Sequence, residues 1–237
     1  MIFEMDFARI IQVYVIQLGL AILYLILGIK IIKRDKKKLN QIIFSFYVLV
    51  FFSGLMNVIY AAIENTAIIK ILHYITICGT FLASLLVLIF NIIIWKSEKV
   101  FNLKKQMVVV ILYLLLIAGL AFLLPDYLIM DESTGWKPYY KLEMWIYVLG
   151  ILTVTLVPNI RISLINHNNF KDAQLKKKWR FFMIGYIANY SLGYLIYTVN
   201  YINEPTARLM VSAIGLVLTI VTAIGIYNGL ARQLSKK

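Results

Sequence analysis

One cysteine, two histidines, four prolines and eleven acidic residues are spread over 237 positions. The single thiol, Cys78, excludes an internal disulfide and, inside an apolar run, reads as a small buried hydrophobe. His73 and His167 are far apart and form no ligand-spaced cluster, so no metal is expected. Charged residues make up only 15% of the chain, against about 25% in ordinary globular domains. No Asp or Glu lies at the centre of any long apolar run, which argues against a carboxylate proton relay. There are no paired acids and no nucleophile motif. The chain is read as a non-enzyme with no cofactor and no catalytic residue. Its first residues, MIFEMDFARI, carry acids where a cleaved secretory signal would carry bases.

Apolar surface is what the chain has in excess. Hydrophobic residues are 62% of the sequence and the mean hydropathy is +0.83. A water-soluble domain cannot bury that much. Seven apolar runs, each near the ~20 residues a helix needs to cross a bilayer, fall at about 8–32, 41–63, 67–95, 107–124, 143–165, 181–202 and 206–231. The predicted fold is a single all-α domain over 1–237, a polytopic seven-helix transmembrane bundle.

The net charge of +13 is distributed unevenly. Nineteen of the 24 cations fall after spans one, three and five and in the C-terminal tail. Glu4, Asp6, Glu64, Asp126, Asp131, Glu132, Glu143 and Glu204 fall on the other side. Lys and Arg concentrate on the cytoplasmic face, so the N-terminus is predicted outside and the C-terminus inside. Lys36, Lys37 and Lys38, with Lys176, Lys177, Lys178 and Arg180, are then anchors for lipid head groups, and no nucleic acid is expected as a partner. Isoleucine- and lysine-rich usage fits a multi-pass protein of a prokaryotic cell membrane.

The segment from Lys176 to Tyr201 concentrates these features. Behind its basic cluster, Tyr186, Tyr190, Tyr194, Tyr197 and Tyr201 recur every three or four residues, which keeps them on one helical stripe beside Asn189 and Asn200. Phenols and amides at membrane depth either line a ligand cavity or bond neighbouring helices. The candidate ligand residues are Tyr190, Tyr194, Tyr197, Asn200 and Tyr201. Asn57, Tyr60 and His73, at comparable outer depth on spans two and three, would complete the same cavity. For His73 the alternative is a polar residue satisfied near the interface. Gly225 with Gly229, and Gly79 with Ala83, allow close helix approach within the bundle or between copies in a homo-oligomer. The aromatic outer loop from Pro125 to Trp145 reads as a membrane-interface belt or as a ligand lid. Pro158 is expected to kink span five.

Two patterns recur 140 residues apart. Lys36-Lys37-Lys38 matches Lys176-Lys177-Lys178, and Glu64-Asn65-Thr66-Ala67 matches Glu204-Pro205-Thr206-Ala207. Spans one to three would correspond to spans five to seven, with span four as linker, a 3+1+3 internal repeat. Seven spans with an outer N-terminus look like the broad opsin-like, receptor-like and transporter-like seven-helix group. The stretch KDAQLKKKWRFFMIGYIANY, Lys171 to Tyr190, resembles the start of the sixth helix in the N-terminal seven-helix sensor domains of some prokaryotic histidine kinases. There too a basic stretch precedes a glycine, here Gly185. No kinase follows Lys237, and the last span has no interior lysine for a retinal Schiff base.

The resemblance implies a receptor or sensor that binds a small or lipidic ligand from outside and signals to a separate cytoplasmic protein. A 3+1+3 transporter or channel, or an ungated lipid-interacting bundle, are the alternatives. Leu18 stands where the transporter pattern would match Pro158 with a second proline. An odd number of crossings predicts that tags on the two termini report from opposite sides of the membrane. Protection of both tags on one side would refute the seven-span reading.

Overall fold

The computed structural model describes residues 11–230. Glu4, Asp6, Arg9, Arg232, Lys236 and Lys237, and the start of the first predicted span, lie outside them. Seven helices make up most of the described chain. They are α1 (Leu18–Arg34, continuing a wider-wound stretch over Ile11–Gln17), α2 (Lys38–Tyr60), α3 (Thr66–Lys96), α4 (Leu103–Tyr127), α5 (Leu142–Asn169), α6 (Ala173–Ile202) and α7 (Pro205–Leu230). A small hairpin of β1 (Leu128–Ile129) and β2 (Tyr139–Tyr140) joins α4 to α5.

Local chemistry marks the starts and stops. Asn65 Oδ1 accepts the Ile68 N–H at 3.1 Å and Asn102 Oδ1 that of Lys105 at 3.2 Å, capping α3 and α4. Asp172 caps α6 through the Gln174 N–H at 2.8 Å, so this helix begins well before the predicted 181. Pro205 opens α7, where a missing N–H leaves nothing unsatisfied. The two matched Glu-x-Thr-Ala tetrads are therefore both helix starts. Asn203, at φ 55°, ends α6 in the left-handed region. Gly119 breaks α4 beside Tyr147, whose hydroxyl donates to Leu116 O at 2.8 Å and leaves no room for a Cβ there. α5 runs continuously through Pro158.

Six helices, all but α6, are long and apolar enough to cross a membrane. The seven-span expectation falls short at α6. It has 30 residues, ample length at 1.5 Å per residue, but its basic start, asparagines and phenols dilute its apolar character.

Consecutive helices pack within α1–α3 and within α5–α7; α3 meets α5 and α1 meets α7, which closes a ring of six. α4 lies outside it, against α3 and α5. Burial follows this plan: 67% of α3's most apolar stretch is buried, against 17% of α4's. Lys38 Nζ donates to Glu98 Oε1 at 2.9 Å and joins the start of α2 to the end of α3. Asn57 Nδ2 donates to Gln17 Oε1 at 2.7 Å at the opposite ends. The bundle thus has a basic end and a hairpin end. Outward residues such as Leu112, Leu115, Phe122, Met210 and Val217 are large, apolar and exposed, a surface suited to lipid rather than water.

The small residues act within the chain. Gly225 and Gly229 meet Gly185 and Phe182 of α6, and Gly79 meets Ser53 of α2. A Cβ on Gly185 would lie 2.6 Å from the Ile226 backbone nitrogen, whereas one on Gly19 would meet nothing within 4 Å. Gly185→Ala is therefore expected to cost about 1–3 kcal/mol, read as a lower thermal midpoint in detergent. Gly19→Ala should leave the midpoint unchanged or raise it. Equal effects of the two would show that the α6–α7 contact is not close-packed.

Candidate functional site

A cavity of about 390 Å³ opens in the hairpin half of the bundle, walled by α1, α2, α3, α6 and α7 and roofed by Trp136–Pro138. Its sides are apolar, with Leu20, Ala21, Val50, Ile77, Leu192 and Leu216. Near the roof it carries Gln17, Asn57, Tyr60, His73, Asn200 and Arg208; deeper down come Tyr24, Ser53, Thr80, Asn189 and Thr219. The described lining residues include no Asp or Glu. The cavity stops at packed rings. Tyr24 and Tyr47 lie 5.5 Å apart between ring centres and Tyr47 and Phe46 5.2 Å. Tyr47 donates to Ala223 O at 2.9 Å and Tyr24 to Thr219 O at 3.3 Å, which ties this floor to α7.

The hairpin holds the roof down. Pairing places Leu128 directly opposite Tyr140, so both take the same face, and both are fully buried. Tyr140 OH lies 2.8 Å from His73 Nε2, and Tyr60 OH lies 3.2 Å from His73 Nδ1. One imidazole therefore bridges α2 and the hairpin. Burial pushes the Tyr140 phenol well above its usual range, so it stays protonated and available to this bridge at neutral pH. Arg208 donates to Pro138 O at 2.7 Å, Asn203 Oδ1 at 2.9 Å and Asn200 Oδ1 at 3.3 Å, fastening the roof to the start of α7. In the turn, Asp131 caps Ser133 and Thr134. The Ser133 hydroxyl, helped by backbone N–H groups, holds the Asp131 carboxyl below its ordinary range.

Five of the eight expected ligand residues line this cavity: Asn57, Tyr60, His73, Tyr197 and Asn200. Tyr190, Tyr194 and Tyr201 do not. The tyrosine stripe turns mostly toward α5, where Tyr194 bonds Thr153, Tyr201 stacks on Trp145 at 4.7 Å and Tyr190 accepts from Asn159 Nδ2 at 2.7 Å. The reason is position: α6 lies between α5 and α7, and its cavity wall carries Asn189, Gly193 and Tyr197. The outer loop departs from a pure interface belt, since Tyr140 is buried and Trp136 roofs the cavity. The anchor residues Lys36, Lys37, Lys38, Lys176, Lys177, Lys178 and Arg180 all lie at the basic end. There Lys37 pairs with Asp35 at 3.1 Å, and Arg180 Nε donates to His167 Nε2 at 3.2 Å. Cys78 packs partly buried against the core.

Sequence reasoning missed Gln17, Ser53 and Thr80 in the wall, and Arg208 as the roof fastener. It also missed a second polar cluster in the basic half. Asn91 Nδ2 donates to Asn159 Oδ1 at 2.7 Å and Asn166 Nδ2 to Asn91 O at 3.0 Å, all fully or nearly fully buried. The available signal was Asn91 and Asn159 inside apolar spans, with Asn166 at the edge of one; at such depth each must find a partner within the protein.

Tyr140→Phe removes one partner of the buried His73 and should destabilise by about 1–3 kcal/mol in thermal unfolding. In the His73→Leu background the same change should cost much less. Additive losses would mean that the bridge carries no coupling energy. No protein-family model matches this chain, and no match is found among the curated proteins or the solved structures.

Proposed function

We propose that this protein is a seven-crossing, receptor-like component of a cell membrane. Its N-terminus is outside and its basic end lies in the cytoplasm. A small or lipidic ligand enters at the hairpin end, and a separate cytoplasmic chain reads the basic end. The observation that carries this reading is the cavity walled by five helices in the hairpin half of the bundle. Such a site gives a ligand simultaneous contact with elements that continue to the other face, which is what a population shift between two bundle packings requires.

Counting α6 as the seventh crossing is supported by where its polar groups sit. Asn200, Tyr186 and Tyr190 are buried, while Phe181, Ile184, Ile187, Ile196 and Ile202 face outward. The polar side of α6 is spent inside the bundle and the lipid side is apolar, as a membrane helix needs. Clustered lysines at one end fit anionic head groups and the cytoplasmic leaflet. The sensor-domain resemblance of Lys171–Tyr190 points the same way.

A transporter of the 3+1+3 type is the second reading. It is favoured by two consecutively packed three-helix units on either side of an outlying α4. A cavity confined to the hairpin half would then be one of two access states. An ungated structural bundle is the least favoured, since it has no use for a hollow lined with amides and phenols.

The deciding experiment uses the full chain in nanodiscs, spin-labelled at Lys36 and Lys177. A small-molecule library is first screened for thermal stabilisation sensitive to Asn57→Leu. A hit should then shift the distance between the two labels. A hit that leaves this distance unchanged but is carried into proteoliposomes would replace the receptor reading with the transporter one. A complete lack of hits would remove both.

A further inference from the structure

The polar groups of the cavity lie at two levels, and the spacing between them narrows the chemistry of what it holds. We infer that its ligand is a slender molecule with an apolar middle and a hydrogen-bonding group at each end, the lower end received by Asn189. This rests on the reading of the cavity as a ligand site, and goes beyond it by naming the class.

Asn189 makes the lower contact. It lines the cavity and is half-buried, and its amide makes no hydrogen bond among the described residues. Its unbonded polar atoms keep accessible surface, unlike Ser53 Oγ, which is sealed against Gly79. Its chain neighbours Ala188 and Tyr190 are buried, as are Gly185 and Gly193 one turn away in each direction. Ile184 and Ile187, on the opposite side of α6 at 3.6 residues per turn, are the ones turned outward. The accessible part of Asn189 therefore faces the cavity. In a membrane span, an amide with no partner in the protein needs one from whatever fills the space beside it.

Contacts between α6 and α7 fix its depth. Gly185 lies against Gly225 and Ile226, and Leu192 against Gly215. Asn189, between Gly185 and Leu192 on α6, is therefore level with the turn of α7 around Thr219, which takes the Tyr24 hydroxyl at the cavity floor. The other deep hydroxyls that reach the cavity are met inside the chain. Thr80 donates to Thr76 O at 3.0 Å, Thr219 to Gly215 O at 2.7 Å and Tyr24 to Thr219 O at 3.3 Å. Among the described lining residues, Asn189 is the accessible deep group left to a ligand.

The upper level is the roof, with Gln17, Asn57, Lys137, Asn200 and Arg208. Gln17 Oε1 takes the Asn57 N–H at 2.7 Å, which leaves this amide pair one NH2 group and one carbonyl oxygen. Asn189 and Asn200 share a face of α6 across three turns, about 16 Å at 1.5 Å per residue. The sides between the two levels are apolar. A volume of about 390 Å³ falls toward the small end for ligand sites, and drawn out over that length it is narrow. Such a space suits one extended chain better than a bulky ring system or a two-chain lipid. Amides both donate and accept, so hydroxyl, carbonyl or amide ends fit both levels.

The test uses a straight-chain dodecanediol with a hydroxyl at each end, and dodecanol with a hydroxyl at one. Each is titrated by calorimetry into the full chain in nanodiscs, with empty nanodiscs subtracted, and affinities are compared between the unaltered protein and its variants. Dodecanediol is expected to bind, and to lose about five- to tenfold in Asn189→Leu and likewise in Asn57→Leu. Dodecanol reaches one level only, so one of the two substitutions should leave its affinity unchanged. Asn189→Leu removes no hydrogen bond of the ligand-free protein, so the thermal midpoint should stay level or rise. Dodecanediol affinity unchanged in Asn189→Leu overturns the inference, the amide then being met by water alone. A lowered midpoint does the same, since it shows a partner for Asn189 inside the protein. Equal losses of dodecanol in both variants overturn the two-ended class. If neither probe binds while a library hit still binds in an Asn57-sensitive way, the hit decides: sensitivity to Asn189→Leu upholds the two levels, and indifference loses this inference alone. If nothing binds at all, the reading beneath it is lost as well.

Discussion

Withdrawal of water is the constraint behind everything in this molecule. Where lipid replaces water, a backbone or side-chain polar group with no internal partner costs several kcal/mol. Helices meet the backbone half of that demand by themselves. The side-chain half is met by pairing across helices: Gln17 with Asn57, Asn91 with Asn159, Asn159 with Tyr190, Tyr47 with Ala223. These pairs, together with the close contact of Gly185 and Gly225, hold the ring of helices in register. Apolar residues contribute less to that choice, because a leucine is nearly as well off against lipid as against another helix.

α3 shows how the constraint shapes the site. It is the most deeply buried of the six apolar helices, and it carries polar groups at both ends of its buried length. Toward the hairpin, His73 joins Tyr60 and Tyr140. Toward the basic end, Asn91 joins Asn159 and Asn166. Between them the wall opens into the cavity at Thr76, Ile77 and Thr80. The hollow therefore sits where pairing gives way, with a sealed floor of tyrosine rings below and a fastened hairpin above. Beside that wall the Ser53 hydroxyl, packed against Gly79 where two helices meet, is left without a partner.

The candidate site was partly legible beforehand. Asn57, Tyr60, His73, Tyr197 and Asn200 could be grouped because depth along a span follows from distance to its ends, and all five lie near the same ends. Tyr190, Tyr194 and Tyr201 were grouped with them by helical spacing, but spacing specifies a stripe and not the direction it faces. α6 has α5 on one flank and α7 on the other, and the stripe turned toward α5. Arg208 and Ser53 escaped notice for a different reason. One looked like an ordinary loop-side cation and the other like an ordinary small residue, and their roles depend on Pro138 and Gly79, which are remote in the chain.

Length, apolar periodicity and the placement of lysines were enough to determine seven helices, their approximate limits and a basic end set against an acidic one. Each of those follows from local composition acting along one segment. What only the tertiary structure decided is which helix is most deeply buried, that α4 stands outside the ring, that the outer loop folds in as a roof, and which face of α6 meets the cavity. Those outcomes depend on pairings between residues tens to nearly two hundred positions apart, such as Tyr24 with Thr219. A helical pattern read along one span carries no record of which neighbour will satisfy it.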